Sequence, residues 1–388
     1  EVYGLLDALG LDRCPAVFLP AAAGEEERAR WAAAAAAQAD GEGRLLLKVV
    51  GRGILHKTDA GGVLVAGIVQ LLFLLPSLRR IRSLPRPRWG IRDSGVRRIM
   101  KLMVPGIIGS SAAQINLLVD TMLASFLVTG SVTWLFYSDR LMEFPLGVFG
   151  VALSTVILPN LSRKFARNNP EAFSHTLDWA LRLALVITLP AALGLAVLAK
   201  PILVTLFQYQ AFDVGDVEMS ALSLAAYAAG LPAFIAVKVL APGFYARQDT
   251  KTPVKIAITA MVANMVMNFI FVGVLLYLGF KGPHTGLALA SSAAAYVNAG
   301  LLYRMLRRQG AYHPEPGWSR VLFAVAAACA AMVLALLWQY GDLAGWVQAS
   351  AVLRASHLCL LIGLGVVVYG LVLVGAGLRP GHLAKGAS

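Results

Sequence analysis

Apolar and polar positions divide this chain into two parts that meet near Leu64. Beyond that point apolar runs occupy about 64–78, 104–128, 131–158, 178–199, 219–243, 254–279, 285–306, 318–339 and 355–378, separated by short polar connections. Most have the roughly 20 residues needed to cross about 30 Å of hydrocarbon. The first, with about 15 residues, is the weakest of the nine by the same measure. The pattern predicts an all-α polytopic membrane protein with nine helices over residues 64–388.

Residues 1–63 follow a different pattern. An acidic patch at Glu25, Glu26 and Glu27 leads into an alanine-rich helical stretch at 29–39, a strand-like run at 45–50 and a glycine-rich loop. They predict a small αβ fragment, separate from the membrane region. The chain opens on Glu1 with no compact apolar run ahead of a small-residue cleavage site, so the expectation is that it carries no signal peptide.

The composition agrees with the membrane reading. The chain has 388 residues, of which 58% are hydrophobic and 14% charged, with a mean hydropathy of +0.69. That is too apolar for a soluble domain of this size. A net charge of +13 would point to nucleic acid in a soluble protein, but the basic residues here sit in the loops. The loop from Arg79 to Lys101 and the polar ends containing Arg163, Arg247, Arg307 and Arg379 hold 21 basic residues, against three on the other side: Lys200, Lys281 and Arg354. The basic side is therefore cytoplasmic and nucleic-acid binding is excluded. Nine spans ending inside would begin outside, which would leave the 1–63 fragment outside without an export signal. The expectation that resolves this is a fusion or assembly error near residue 66; the other resolution is a first segment that does not span.

The third apolar run carries the candidate chemistry. Asp139, Arg140 and Glu143 lie near its middle, where charge is costly and marks a substrate or ion path. Thr133, Arg140 and Gly147 recur every seven residues and Glu143 follows Arg140 by three, which puts one polar stripe on a helix. Pro145 removes a donor to the carbonyl of Leu141 and predicts a kink beside the charged pair. In the second run Gly106, Gly109, Ala113, Asn116 and Asp120 form another stripe of small and polar residues, read either as close helix packing or as a cavity wall facing Arg140. Lys238, near a cytoplasmic end, is expected to snorkel. Asn264 and Asn268, one turn apart, are expected to hydrogen-bond between helices. Cys14, Cys329 and Cys359 are scattered and the histidines dispersed, so no disulfide framework, metal site, cofactor or catalytic constellation is expected.

Several motifs carry a family resemblance. DRLMEFP at 139–145, VALSTVILPNLSR at 151–163, LFQYQAF at 206–212 and VKVLAPGFYARQDTKTPVKIA at 237–257 resemble the MurJ/MviN family of lipid II flippases, from about Ala66 onward. The resemblance implies fourteen spans in two six-helix lobes plus a final pair, within the wider multidrug, oligosaccharidyl-lipid and polysaccharide exporter superfamily. It also implies that this chain keeps the last helix of the first lobe, the second lobe and the final pair. On that comparison the essential arginine and glutamate of the family motif fall on Arg140 and Glu143, Thr133 takes a small-hydroxyl position in the same cavity, and the last two runs form a groove for a polyprenyl tail. Asp139 and Asp120 complete the candidate substrate-binding set. The implied role is translocation of a lipid-linked peptidoglycan precursor across the bacterial cytoplasmic membrane. Lipid II and membrane lipids are the implied partners, and the cell-wall synthesis machinery is a candidate partner. Lacking five helices, the chain is expected to be inactive alone.

Residues 1–63 carry a second resemblance. Lys48 and the sequence HKTDAGG at 56–62 resemble the start of the ATP-grasp domain of nucleotide-diphosphate-forming acyl-CoA synthetases. Two alternatives thus stand beside the flippase reading: a polysaccharide-lipid or drug exporter of the same superfamily, and an ATP-dependent acyl-CoA synthetase subunit.

The loop charges yield a direct test of orientation. With Cys14, Cys329 and Cys359 replaced, a cysteine at position 216 should react with an impermeant thiol reagent added outside the cell, and one at position 88 should not. The opposite pattern reverses the topology.

Overall fold

In a bilayer every backbone N–H and C=O must find its partner within the protein, and a continuous helix is the simplest solution. The computed structural model describes residues 114–209 and 212–377, together with Val69, Leu72, Arg79 and Met100. The chain divides into two units, Glu1–Gly90 and Ile91–Ser388, and nearly all described residues belong to the second. The expected αβ fragment at 1–63 lies outside the described residues, as do the first apolar run apart from Val69 and Leu72 and the first half of the second run.

The described residues are helical, with no strand among them. Helix α1 covers 114–125. Next come α2 (Ser131–Pro145), a π-helical segment (Leu146–Val151), α3 (Ala152–Ala166), α4 (Pro170–Val197) and α5 (Ala199–Phe207). Helices α6 (Val214–Tyr245), α7 (Lys251–Tyr277) and α8 (Thr285–Arg308) complete the central bundle. The chain ends with α9 (Trp318–Gln339), the short α10 (Leu343–Gln348) and α11 (Ala351–Gly375). Seven stretches among the described residues are long and apolar enough to cross a membrane, the first being Ser131–Ala166 taken as one rod. They correspond to the last seven of the nine predicted runs, and α9 has the predicted bounds.

Helix ends differ from the sequence reading where local capping overrides hydropathy. Helix α4 starts at Pro170 rather than near 178, because Asn169 accepts from the backbone N–H of Ala172 and proline suits the first helical turn. Helix α6 starts at Val214, where Asp213 and Asp216 form a reciprocal capping box. Arg354, assigned to a loop, lies in the first turn of α11 and is buried.

The predicted kink takes the form of a π segment directly after Pro145. With no proline N–H to bond the carbonyl of Leu141, the ladder loses its register. A wider turn lets the rod continue as α3. The buried Gly150 in this segment lies beside the side chains of Lys238 and Ile235 from α6.

Helix α6 is the axis of the bundle. It packs against α2, α4 and α8, while α7 packs mainly on α8. The core around Leu177, Leu231, Ile235, Phe244, Leu302 and Leu306 joins α4, α6 and α8. Helices α9 and α11 pack on each other and reach the bundle through α4 and α5. Close approach relies on small residues: a Cβ added at Gly286 would lie 2.9 Å from the backbone nitrogen of Val272, whereas one at Gly273 would meet open space.

This contrast is measurable. Gly286→Ala should destabilise the protein in thermal unfolding by about 1–3 kcal/mol, the usual cost of overpacking. Gly273→Ala should be neutral or slightly stabilising through helix propensity, by up to about 1 kcal/mol. Equal effects of the two changes would rule out backbone crowding at Gly286.

Candidate functional site

The predicted site residues fall into two neighbouring regions. The first is a cavity of about 450 Å³ bordered by α1, α2, α6, α7 and α8, with Asn116, Asp120, Asp139, Lys238, Asn264 and Ser291 in its lining. Asp120 does not turn toward Arg140, as one reading of its stripe proposed. Its Oδ1 accepts from Asn268 at 2.6 Å, and its Oδ2 accepts from Ser291 at 3.2 Å and from Asn116 at 3.4 Å. Asn268 also donates to Asn264 at 3.0 Å, and Asn264 donates to Ser291 at 3.3 Å.

These bonds join α1, α7 and α8, the interhelical role expected of the two asparagines. Ser291 was missed by sequence reading, since a serine among alanines gives no periodic signal. The amide oxygens of Asn116 and Asn268 are buried without a partner among the described residues. Carboxylate, amide and hydroxyl oxygens together suit a hard cation rather than a transition metal. No group of three His, Cys, Asp or Glu arranged for a metal occurs among the described residues. Lys238 lines this cavity and makes no ion pair among the described residues.

The second region is the exposed face of α2. Thr133, Phe136, Arg140, Glu143, Phe144 and Gly147 are all exposed, so the predicted stripe is one open face of the helix. An Nη of Arg140 lies 2.7 Å from Oε2 of Glu143, with the side chains 59% and 50% exposed. The guanidinium also sits over the Phe136 ring, 5.2 Å from its centroid. An exposed pair of this kind contributes about 0–1 kcal/mol, so a stronger anion can displace Glu143 at little cost. Thr133 lines neither cavity.

Arg140 is at the edge of an apolar groove of about 710 Å³ walled by α2, α4, α5, α9 and α11. Phe144, Gly194, Ile202, Met332, Leu361 and Tyr369 are among its lining residues. Asp139, the preceding residue in sequence, lines the polar cavity instead. Neighbouring positions on one helix thus border a polar cavity and an apolar groove, because successive side chains diverge by about 100°.

The family model for lipid II flippase MurJ matches residues 45–356. The chain belongs to this family. A probable lipid II flippase MurJ from Vibrio cholerae is 49% identical over 318 residues, covering 82% of this chain and 59% of the relative. One from Haemophilus influenzae is 45% identical over 329 residues, covering 83% and 63%. A solved structure of lipid II flippase MurJ in an inward closed conformation aligns with a TM-score of 0.59 at 25% identity, over 75% of this chain and 57% of that one. The chain therefore spans about three fifths of the length of these relatives. The match starts at residue 45, upstream of the boundary near Ala66 expected from the motifs and inside the stretch expected to form a separate αβ fragment. Family membership and the seven apolar helices make this a multi-pass protein of the bacterial inner membrane.

The polar knot on Asp120 generates its own expectation. Asn268→Ala should destabilise the protein by roughly 0.5–2 kcal/mol, the range for hydrogen bonds between membrane helices. In a double-mutant cycle with Asp120→Ala the two effects should be non-additive by at least about 0.5 kcal/mol. Strict additivity in detergent unfolding would separate the two residues energetically.

Proposed function

We propose that this chain carries the second lobe and tail groove of a lipid II flippase, and that Arg140 is its contact with the lipid pyrophosphate. One observation carries the reading: a solvent-exposed guanidinium, held only by a labile ion pair and a ring face, stands at the rim of a large apolar groove. A polyprenyl-linked precursor has the matching layout, an anionic pyrophosphate joined to a long apolar chain. Family membership supports the same assignment.

The chemistry follows from the fork of the guanidinium. Its donors match two phosphate oxygens at once, and charge-assisted bonds of this kind are about twice as strong as neutral ones. Glu143 occupies the fork in the empty state and is released when pyrophosphate arrives. Since the ligand binds better where Glu143 has withdrawn, it biases the equilibrium between arrangements of the bundle. The exposed face of α2, with Thr133 and Arg140, is the side we assign to the partner lobe that completes the cavity. Asp139 and Asp120 line the adjoining wet compartment.

The test uses a full-length protein with the remaining helices supplied from a close relative. Arg140→Ala should abolish complementation of a flippase-depleted strain, and Arg140→Lys should restore little because a point charge cannot make the bidentate contact. Glu143→Ala should impair growth less than Arg140→Ala. Normal growth of the Arg140→Ala protein at normal membrane levels would remove Arg140 from the mechanism.

A further inference from the structure

Two buried charges outside both cavities fasten the terminal helices to the bundle. Asp178, on α4, is 1% exposed. Its Oδ1 accepts from the hydroxyl of Tyr312 at 2.8 Å, from Nε1 of Trp318 at 2.8 Å and from the backbone N–H of Glu315 at 3.2 Å. Its Oδ2 pairs with Nε of Arg182 at 2.6 Å. Arg182 in turn donates to the carbonyls of Glu315 and Pro316, each at 3.0 Å, and lies over the Trp318 ring. Ser174 and the backbone of His313 exchange hydrogen bonds one turn away. All these contacts tie α4 to the connection between α8 and α9 and to the first residue of α9.

The other end of the same helices has a clamp of opposite sign. Arg354, at the start of α11, is 7% exposed and pairs with no carboxylate among the described residues. Its Nε donates to the carbonyl of Ala349 at 2.9 Å and one Nη to the carbonyls of Val204 and Gln208, each at 3.3 Å. The other Nη donates to the carbonyl of Val347. These carbonyls belong to the last turns of α5 and α10 or directly follow them, where helix acceptors lack partners and the dipole favours a cation. The Tyr209 ring lies beside the guanidinium, 5.8 Å from its carbon.

Helix α4 is long and apolar enough to cross a bilayer, with Asp178 in its first third and α5 continuing from its second end. The two clamps therefore grip one limb, α4 and α5, against one pair, α9 and α11, toward opposite ends of that limb. Between them lies the apolar groove, whose walls away from α2 are these four helices. In hydrocarbon the groove itself supplies no hydrophobic force to hold its walls together. The polar clamps toward its two ends do, joined between them by one hydrogen bond from the Tyr369 hydroxyl to the carbonyl of Val186 at 2.6 Å.

We propose that Asp178 and Arg354 are positioning residues that lock α9 and α11 to α4 and α5 and so fix the width of the apolar groove. This deepens the proposed function, on which the groove's occupant, a polyprenyl phosphate chain, depends. The locked limb keeps one spacing while the Arg140 edge on α2 exchanges partners.

Spin-label distances in the full 388-residue chain, with its three cysteines replaced, test the lock. Labels at positions 175 and 323 span the Asp178 end, and labels at 200 and 352 span the Arg354 end. Both pairs should give narrow distance distributions. Asp178→Ala should broaden the first about twofold and leave the second unchanged, and Arg354→Gln should do the reverse, because distant sites without shared partners act independently. Tyr312→Phe and Arg354→Lys, which remove fewer bonds, should give smaller changes in the same pairs and serve if the stronger variants fail to accumulate. Unchanged widths, or equal broadening of both pairs, overturn the proposal. Binding of fluorescent polyprenyl phosphate in nanodiscs should weaken about fivefold in each of the stronger variants, a loss of about 1 kcal/mol. Broadened distances with undiminished binding would overturn the positioning role. Absence of binding by the unmodified chain would instead count against the groove's assignment, while the label widths still decide the lock.

Discussion

Hydrocarbon offers no hydrogen bonds, so a polar group in a membrane helix must find its partners in another part of the bundle or lie on a wetted face. Asp120 is satisfied by one amide across the helix interface, a serine and a neighbouring asparagine. Asp178 is satisfied by a phenol, an indole, a backbone N–H and a guanidinium. Arg354 is satisfied by helix-end carbonyls alone. Each solution joins elements far apart in sequence and so fixes where a helix stands. Arg140 and Glu143 stand apart from these, holding each other on an open face. A charge pair so weakly committed contributes little to stability, and that is the physical ground for the proposal that it meets the substrate.

The π segment links this arrangement to the backbone. Pro145 interrupts the hydrogen-bond ladder two residues after Glu143, and the wider turn that follows carries Gly150 against α6 beside Lys238. The charged stripe, the polar cavity and the groove therefore meet within two turns of one helix. A straight α-helix would have met α6 differently there, since π turns shift the register of every side chain beyond them.

Stability and function place opposed demands on this bundle. The core joining α4, α6 and α8 is dense, with Leu177, Leu231, Ile235 and Leu306 fully buried. Helix α2, by contrast, keeps much of its surface open, including Phe136 and Phe144. That open face is the side assigned above to the partner lobe.

Much of this was legible in the chain itself. Length and hydropathy located the seven described spans, because bilayer thickness sets the number of apolar residues a span needs. The polar stripe of α2 followed from a seven-residue recurrence, and the break after it from a single proline. Helix ends were less legible at α4 and α6, where Asn169 and Asp213 cap turns that hydropathy assigns to loops. Pairing was not legible at all. Arg354 was assigned to a loop, Asp178 and Arg182 gave no signal, and Ser291 was one small residue among many. Periodicity reports which side of a helix a residue occupies, but not which helix faces that side. The sequence alone determined that Arg140 and Glu143 share a face, since the α-helical repeat is local. Only the tertiary structure decided that Asp139 opens on the polar cavity while Arg140 edges the apolar groove, because that depends on which side of α2 the groove walls from α4, α5, α9 and α11 stand and on which side the cavity walls from α6, α7 and α8 do.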